Sequence, residues 1–198
     1  YDPDTGYYTE GLALLNGKFS GYFSYEQFKA TFVHEFGHFF GLDHCQINTS
    51  YAGDGDTAND VYLPTMFPTA TDDDTPLASL NPDDTAAITL LYPAASGIVD
   101  AAYGKIRGTV TWRSGLPVLG ANVVAVKVGD EKLSQFSSVS DYYQLNTGDY
   151  EMLVTPGTYR LFIEPINRSF TSGSSIGPYA QTLLSPSFTK PVLTSYYS

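Results

Sequence analysis

The spacing of apolar residues predicts a long amphipathic helix in the first quarter of the chain. From Tyr25 onward, apolar residues recur at the interval of one helical face, at positions 25, 28, 32, 36, 39 and 40. Ser24, followed three residues later by Gln27, gives this helix a capping-box start. We therefore predict that its aromatic face lies in the core. The apolar run at 12–15, which ends at a turn-forming Asn16-Gly17 pair, predicts a buried strand before it.

The pattern changes from helical to strand-forming in the middle of the chain. A second helix is predicted from Pro82 to about Leu91, because Asn81 can cap it and acidic residues follow in its first turn. Beyond Pro93 the period becomes two residues, as in Ile106, Gly108, Val110 and Trp112 and in the stretches near 121–128, 150–154 and 158–164. Short alternating strands with regular turns predict an antiparallel β-sandwich.

Composition restricts the partners of the protein. The 198 residues carry a formal net charge of −11, which argues against nucleic acid and anionic membranes as partners. No apolar run approaches the length needed to span a bilayer. The abundance of tyrosine, serine, threonine and glycine, with few lysines, favours a secreted, extracellular protein.

Residues 34–44 read HEFGHFFGLDH and carry the chemistry. His34 and His38 lie one helical turn apart on the same face, and Gly41 permits a backbone turn that brings His44 round as a third ligand. Three imidazoles leave one open position on a tetrahedral zinc ion, as in catalytic sites. Glu35 is placed to take a proton from a zinc-bound water. The chain has three histidines in all, and each occupies a ligand position.

Two further metal-related features leave alternatives open. Cys45, the one cysteine, is either a small buried residue, which we favour, or a fourth thiolate ligand beside His44. The acidic stretches at 54–60 and 72–74 offer oxygen ligands for Ca²⁺, but Ala58 stands where an EF-hand loop needs an oxygen ligand. A solvated acidic loop is the favoured interpretation of both stretches.

The histidine motif resembles that of the metzincin zinc peptidases, and the resemblance extends over about residues 11–93. The methionine turn of that family is matched by Pro64-Thr65-Met66-Phe67-Pro68, and residues 80–92 look like the closing helix of its matrixin-type members. The resemblance implies that Met66 packs beneath the metal without ligating it. It also implies a zinc-dependent endopeptidase that acts on proteins or peptides. The alternative is a non-catalytic structural or adhesive surface protein built from a degenerate peptidase unit.

The strand-forming half resembles a different family. The stretches GKIRGTV, LPVLGANVVAV and GDYEMLVTPGTYRLFIEP are similar to the carboxypeptidase regulatory-like domain, a transthyretin-like β-sandwich. We therefore expect an α+β protein: the C-terminal part of a metzincin-type catalytic domain at 1–93, a linker at 94–102, and a β-sandwich at 103–198. The two units are expected to be separate.

The chain departs from the metzincin pattern in two places. Metzincins carry a substantial sheet before the zinc helix, and the residues before His34 are too few to supply it, so we expect an upstream segment to complete the catalytic domain. Matrixin-type members have a tyrosine in the specificity-pocket wall where this chain has Ala70. This replacement would open the pocket.

Overall fold

Two α-helices and two antiparallel sheets in the described part of the chain form the α+β class that the sequence predicts. The structure is a computed structural model that describes residues 10–14, 16–94, 102–171, 175–180 and 195–196. The helices are α1 (Tyr25–Phe39) and α2 (Pro82–Leu91). The strands are β1 (Gly104–Thr109), β2 (Ala121–Lys127), β3 (Gln135–Val139), β4 (Asp149–Val154), β5 (Tyr159–Pro165) and β6 (Ser195–Tyr196).

Helix α1 begins where its sequence predicts, but its aromatic face is largely exposed instead of buried in the core. Ser24 and Gln27 form the complete capping box. The prediction of an aromatic core face is wrong, since Tyr25 is 77% exposed and Phe39 is 50% exposed. The buried residues of α1 are Ala30 and Gly37. Their small side chains allow the opposite face of the helix to pack closely against the rest of the fold.

The prediction of a buried strand at 12–15 is also wrong for residues 12–14, which the structure describes. Leu12 is 81% exposed, Leu14 is 84% exposed, and neither lies in a strand. Residue 15 lies outside the described residues. Gly11 comes close to the ring of Phe39, so residues 10–14 run beside α1. An apolar run alone predicts burial only when a partner strand is available, and within the described residues this segment pairs with none.

The strands form two antiparallel sheets. Strands β1 and β4 pair over their full length, and the other sheet has the order β3-β2-β5-β6. Strand β2 contributes Val123 and β4 contributes Met152 to one shared apolar cluster, which Ala86 of α2 joins. Assignment of the sheets to a carboxypeptidase regulatory-like sandwich stays a prediction.

The helical part and the strand part share buried side chains. Val124 of β2 belongs to a cluster with Met66 and Ile47, and Ile176 belongs to another with Leu63 and Phe67. The predicted boundaries at 93 and 103 stay a prediction, since residues 95–101 of the linker lie outside the described part of the chain. No helix among the described residues is long and apolar enough to cross a membrane.

Candidate metal centre

The end of α1 delivers the first two histidines and then reverses the chain toward the third. His34 and His38 face the same side of α1, with ring centroids 4.8 Å apart. Gly41 adopts a φ of 86°, its N–H donates to His38 O, and the Leu42 N–H donates to Gly37 O. This pair of bonds is the Schellman motif, which glycine favours because its left-handed conformation carries no Cβ penalty.

The turn places His44 against the helical pair. His38 Nε2 and His44 Nε2 lie 3.1 Å apart, and one nitrogen from each of the three rings lies within 4.8 Å of the others. Zinc–nitrogen bonds of about 2.0–2.1 Å at tetrahedral angles separate ligand atoms by about 3.3 Å. The described residues contain one group of three or more histidine, cysteine or acidic side chains close enough to share a metal ion, and it is this one.

A backbone carbonyl holds the Nδ1 atom of each of the three histidines. His34 Nδ1 donates to Thr65 O at 2.7 Å, His38 Nδ1 to Leu42 O at 2.9 Å, and His44 Nδ1 to Ser175 O at 2.8 Å. A carbonyl only accepts, so each Nδ1 carries the proton and each Nε2 presents its lone pair. The three lone pairs therefore converge in the form that a metal ion needs.

Burial favours the same protonation state. It lowers the pKa of His34 and of His44 below the usual histidine value, and neighbouring histidines lower both further. Neutral imidazole is the ligand form, so these rings are prepared for a cation without first losing a proton. The donor set and its protonation thus fit zinc.

Met66 lies against Gly37 of α1, the residue before His38, and restricts which residue can occupy position 37. Its side chain is 2% exposed, and a Cβ added to Gly37 would collide with its Sδ atom. The Met66 carbonyl also accepts the Cys45 N–H at 2.9 Å. These contacts connect the methionine turn to α1 and to Cys45, the residue that follows His44.

The first turn of α2 holds the methionine turn in place. The Asp84 carboxylate accepts the N–H groups of Thr65, Met66 and Asn81 at 2.8, 3.1 and 3.0 Å. Thr65 in turn supplies the carbonyl that orients His34. Asp84 therefore acts on the metal site through one intermediate residue.

Glu35 follows the first ligand and faces a cleft. Its side chain is exposed and lines a space of about 450 Å³ together with Phe28, Phe32, Leu12 and Leu14. His34, His38 and His44 do not line this cleft. The link between Glu35 and the histidines is electrostatic, since its charge raises the pKa of the His34 ring, and a carboxylate so close to a metal ligand can exchange protons with a molecule bound at the metal.

Cys45 is buried away from the ligand group. Its Sγ lies 3.2 Å from Ser137 Oγ, and it does not belong to the histidine cluster. Burial raises the pKa of the Cys45 thiol well above its usual value. The thiolate is the form that ligates zinc, so the surroundings favour the small buried residue over the fourth ligand.

The two acidic stretches differ in how their oxygen atoms are used. In the second stretch, Asp73 accepts from both the N–H and the hydroxyl of Thr75, and Asp74 does the same for Thr71. In the first, Asp60 is fully buried and its Oδ2 accepts the Asp73 N–H, but its Oδ1 has no hydrogen-bond partner among the described residues. The buried Asn59 Oδ1 also lacks one.

Comparison with known proteins agrees with this geometry. Residues 1–79 match the peptidase family model described as pregnancy-associated plasma protein-A (Peptidase_M43). This match supports a metallopeptidase domain. It includes the three histidines, Glu35 and Met66, and it ends before α2, so the matrixin-type closing helix and the transthyretin-like domain stay predictions. No curated protein and no solved structure matches the chain.

Three supporting features escaped the sequence analysis. Gly37 carried a signal, since a glycine within a helix of bulky residues indicates close packing. Asp84 appeared as a helix-dipole residue, and its bonds to the methionine turn had no local signal. Ser175 acts through its backbone carbonyl, which any residue type supplies, so its identity says nothing about its role.

Proposed function

We propose that the protein is a zinc-dependent endopeptidase of the metzincin type that cleaves extracellular proteins. The observation that carries the proposal is the cluster of three imidazoles beside an exposed Glu35: one nitrogen of each ring lies within 4.8 Å of the others, and each Nδ1 is bonded to a carbonyl. His34, His38 and His44 would hold the ion. Bound zinc supplies a Lewis acid that polarises the scissile carbonyl and lowers the pKa of a water molecule.

Glu35 would act as the proton carrier. As general base it takes a proton from the attacking water, and as general acid it returns that proton to the leaving amine. Its position next to His34, the effect of its charge on that ring and its exposure to solvent support this role.

The proposal is tested by separating metal binding from hydrolysis. Each ligand histidine changed to alanine should lose zinc in metal analysis, whereas Glu35→Gln should retain zinc and lose chelator-sensitive peptide cleavage by at least about 100-fold. Glu26→Gln is the matched control, because Glu26 is another exposed acid on α1, and its one ion pair within the described ranges is with Lys29. Full cleavage by Glu35→Gln would exclude the proposed role. If the zinc-loaded protein still cleaves nothing when the expected upstream segment is present, the structural or adhesive alternative is preferred.

We also propose a Ca²⁺ site in the first acidic stretch. A buried carboxylate oxygen and a buried amide oxygen without partners, on adjacent residues, are the hard ligands that Ca²⁺ prefers. Burial raises the pKa of Asp60 above the usual aspartate value, and repulsion from the charges of Asp72 and Asp54 raises it further. A bound cation would neutralise this concentration of negative charge.

A further inference from the structure

The support for the third ligand comes from the far end of the chain. His38 takes its carbonyl from a residue four positions away and His34 from one 31 positions away, both within the peptidase match. His44 takes its carbonyl from Ser175, 131 positions away and beyond the strands. Residues 1–79 therefore contain all three ligands but only two of the three carbonyls that orient them.

A second contact also joins the chain at His44 to the segment that contains Ser175. The Asp43 carboxylate accepts the His44 N–H at one oxygen and the Gly177 N–H at the other, both at 2.7 Å. Asp43 thus bridges the backbone of the third ligand to the segment that orients its ring. Bonds to a carboxylate are stronger than neutral ones, so this bridge constrains both sides.

The segment at 175–177 is itself held firmly. Ile176 is 1% exposed, packs in the cluster that contains Phe67 and Phe170, and donates its N–H to Phe170 O at 3.0 Å. Gly177 has a φ of 59°, and a Cβ there would lie 3.0 Å from Val139 Cγ1. Glycine is favoured here both by the backbone conformation and by the close approach to β3.

We propose that residues 175–177 form a positioning element for the third metal ligand, and that Asp43 is the positioning residue that couples the two. The inference rests on the proposed zinc site. The Ser175 carbonyl fixes the His44 tautomer and ring angle, while the Asp43 bridge fixes its backbone. Coupling of this kind is reciprocal: zinc held by His44 must also stabilise the segment.

The first test uses Asp43→Asn in the full chain. An amide oxygen can accept one of the two N–H groups, but the NH₂ group then faces the other, so the bridge is broken with little change of volume. We expect zinc affinity, measured by chelator competition, to fall about 10- to 100-fold. Glu131→Gln is the matched control, since it also removes one negative charge but belongs to an exposed pair with Arg160.

The second test perturbs the segment from its other side. Gly177→Ala should displace it and weaken zinc to a similar extent, and both variants should alter the visible absorption of Co²⁺-substituted protein, which reports ligand geometry. In the wild type, zinc should slow hydrogen exchange at the amides of Ile176 and Gly177. If Gly177→Ala does not fold, the Asp43→Asn affinity and the wild-type exchange data decide.

The outcomes separate this inference from the proposed function. A wild type that binds no zinc overturns both. Wild-type affinity and an unchanged Co²⁺ spectrum in Asp43→Asn, or amide exchange at 176–177 that zinc leaves unchanged, overturn the positioning element alone. Loss of affinity in Asp43→Asn but not in Glu131→Gln, together with zinc-dependent protection of the segment, supports it.

Discussion

Removal of the Asp84 carboxylate should be among the most damaging single changes in the helical part. The side chain is 2% exposed and accepts three backbone N–H groups, those of Thr65, Met66 and Asn81. All three donor residues are buried. Asp84→Ala leaves the three N–H groups without their acceptor at the point where α2 meets the methionine turn.

The expected loss can be worked from these bonds. A buried donor without a partner costs about 1–3 kcal/mol, so three give about 3–9 kcal/mol. Water entering the vacated space and removal of a buried charge both reduce the loss. Burial raises the pKa of Asp84, although its three N–H bonds oppose the shift, so the charged form is costly in the folded state. We expect a net decrease of about 3–5 kcal/mol in the free energy of unfolding.

The isosteric change distinguishes hydrogen bonds from charge. Asp84→Asn keeps one oxygen for Thr65 and Asn81 and turns an NH₂ group toward the Met66 N–H, so it should cost less than alanine. Denaturant unfolding of the zinc-free protein measures both. Asp149→Ala is the control, since Asp149 is exposed and should change stability by about 0.5 kcal/mol or less.

Zinc binding provides a second measurement of the same variant. Because Thr65 orients His34, Asp84→Ala should also weaken zinc by about 10-fold or more. The role assigned to this carboxylate is wrong if Asp84→Ala binds zinc as tightly as the wild type and its free energy of unfolding differs from the wild-type value by less than about 1 kcal/mol.

Three further predictions follow from other contacts. Gly37→Ala places a methyl group against Met66 Sδ and should lower stability by about 1–3 kcal/mol, read from thermal unfolding. Burial, with repulsion from the neighbouring acid, raises the pKa of Asp83 to about 7. The folded state therefore binds more protons than the unfolded state between about pH 4 and 7, and stability falls as pH rises through that window. As the pH rises over this range, the free energy of unfolding of Asp83→Asn should increase relative to that of the wild type, by up to about 4 kcal/mol. Unfolding curves taken at several pH values measure this difference. Ca²⁺ should raise the melting temperature of the wild type and of the control Asp149→Asn, whose exposed side chain lies outside both acidic stretches, but not of Asp60→Asn. Equal shifts in all three proteins would exclude the site.

The sequence was sufficient to predict that the three histidines meet, because most of their geometry is local. His34 and His38 are one helical turn apart, and Gly41 ends the helix so that the chain turns back toward them and brings His44 close. Their role as metal ligands stays a prediction. The groups that orient those rings were not predictable in the same way. Thr65 and Ser175 act through backbone carbonyls, and nothing in a side-chain pattern identifies which carbonyl a folded chain will present.

The error on α1 has a similar origin. Periodicity separates an apolar face from a polar one but does not say which face meets the rest of the fold. Here the closer contact is made by Ala30 and Gly37, whose small size lets the helix approach Met66. The aromatic rings of Phe32, Phe36 and their neighbours stack on one another and stay partly exposed.

The upstream segment that we expect to complete the catalytic domain stays a prediction.

The separateness of the two predicted units can be tested by the single tryptophan. Trp112 lies in the strand part, so its fluorescence reports unfolding there without reporting the metal site directly. If the units are independent, as the sequence suggested, chelation should leave the fluorescence transition unchanged. The structure predicts otherwise, because Val124 shares a cluster with Met66 and Ser175 holds His44. Zinc present at 100 times its dissociation constant stabilises the state that binds it by about 2.7 kcal/mol. A chelator should therefore lower the unfolding temperature measured by Trp112 fluorescence by several degrees in the wild type. The same chelator should lower it far less in His44→Ala.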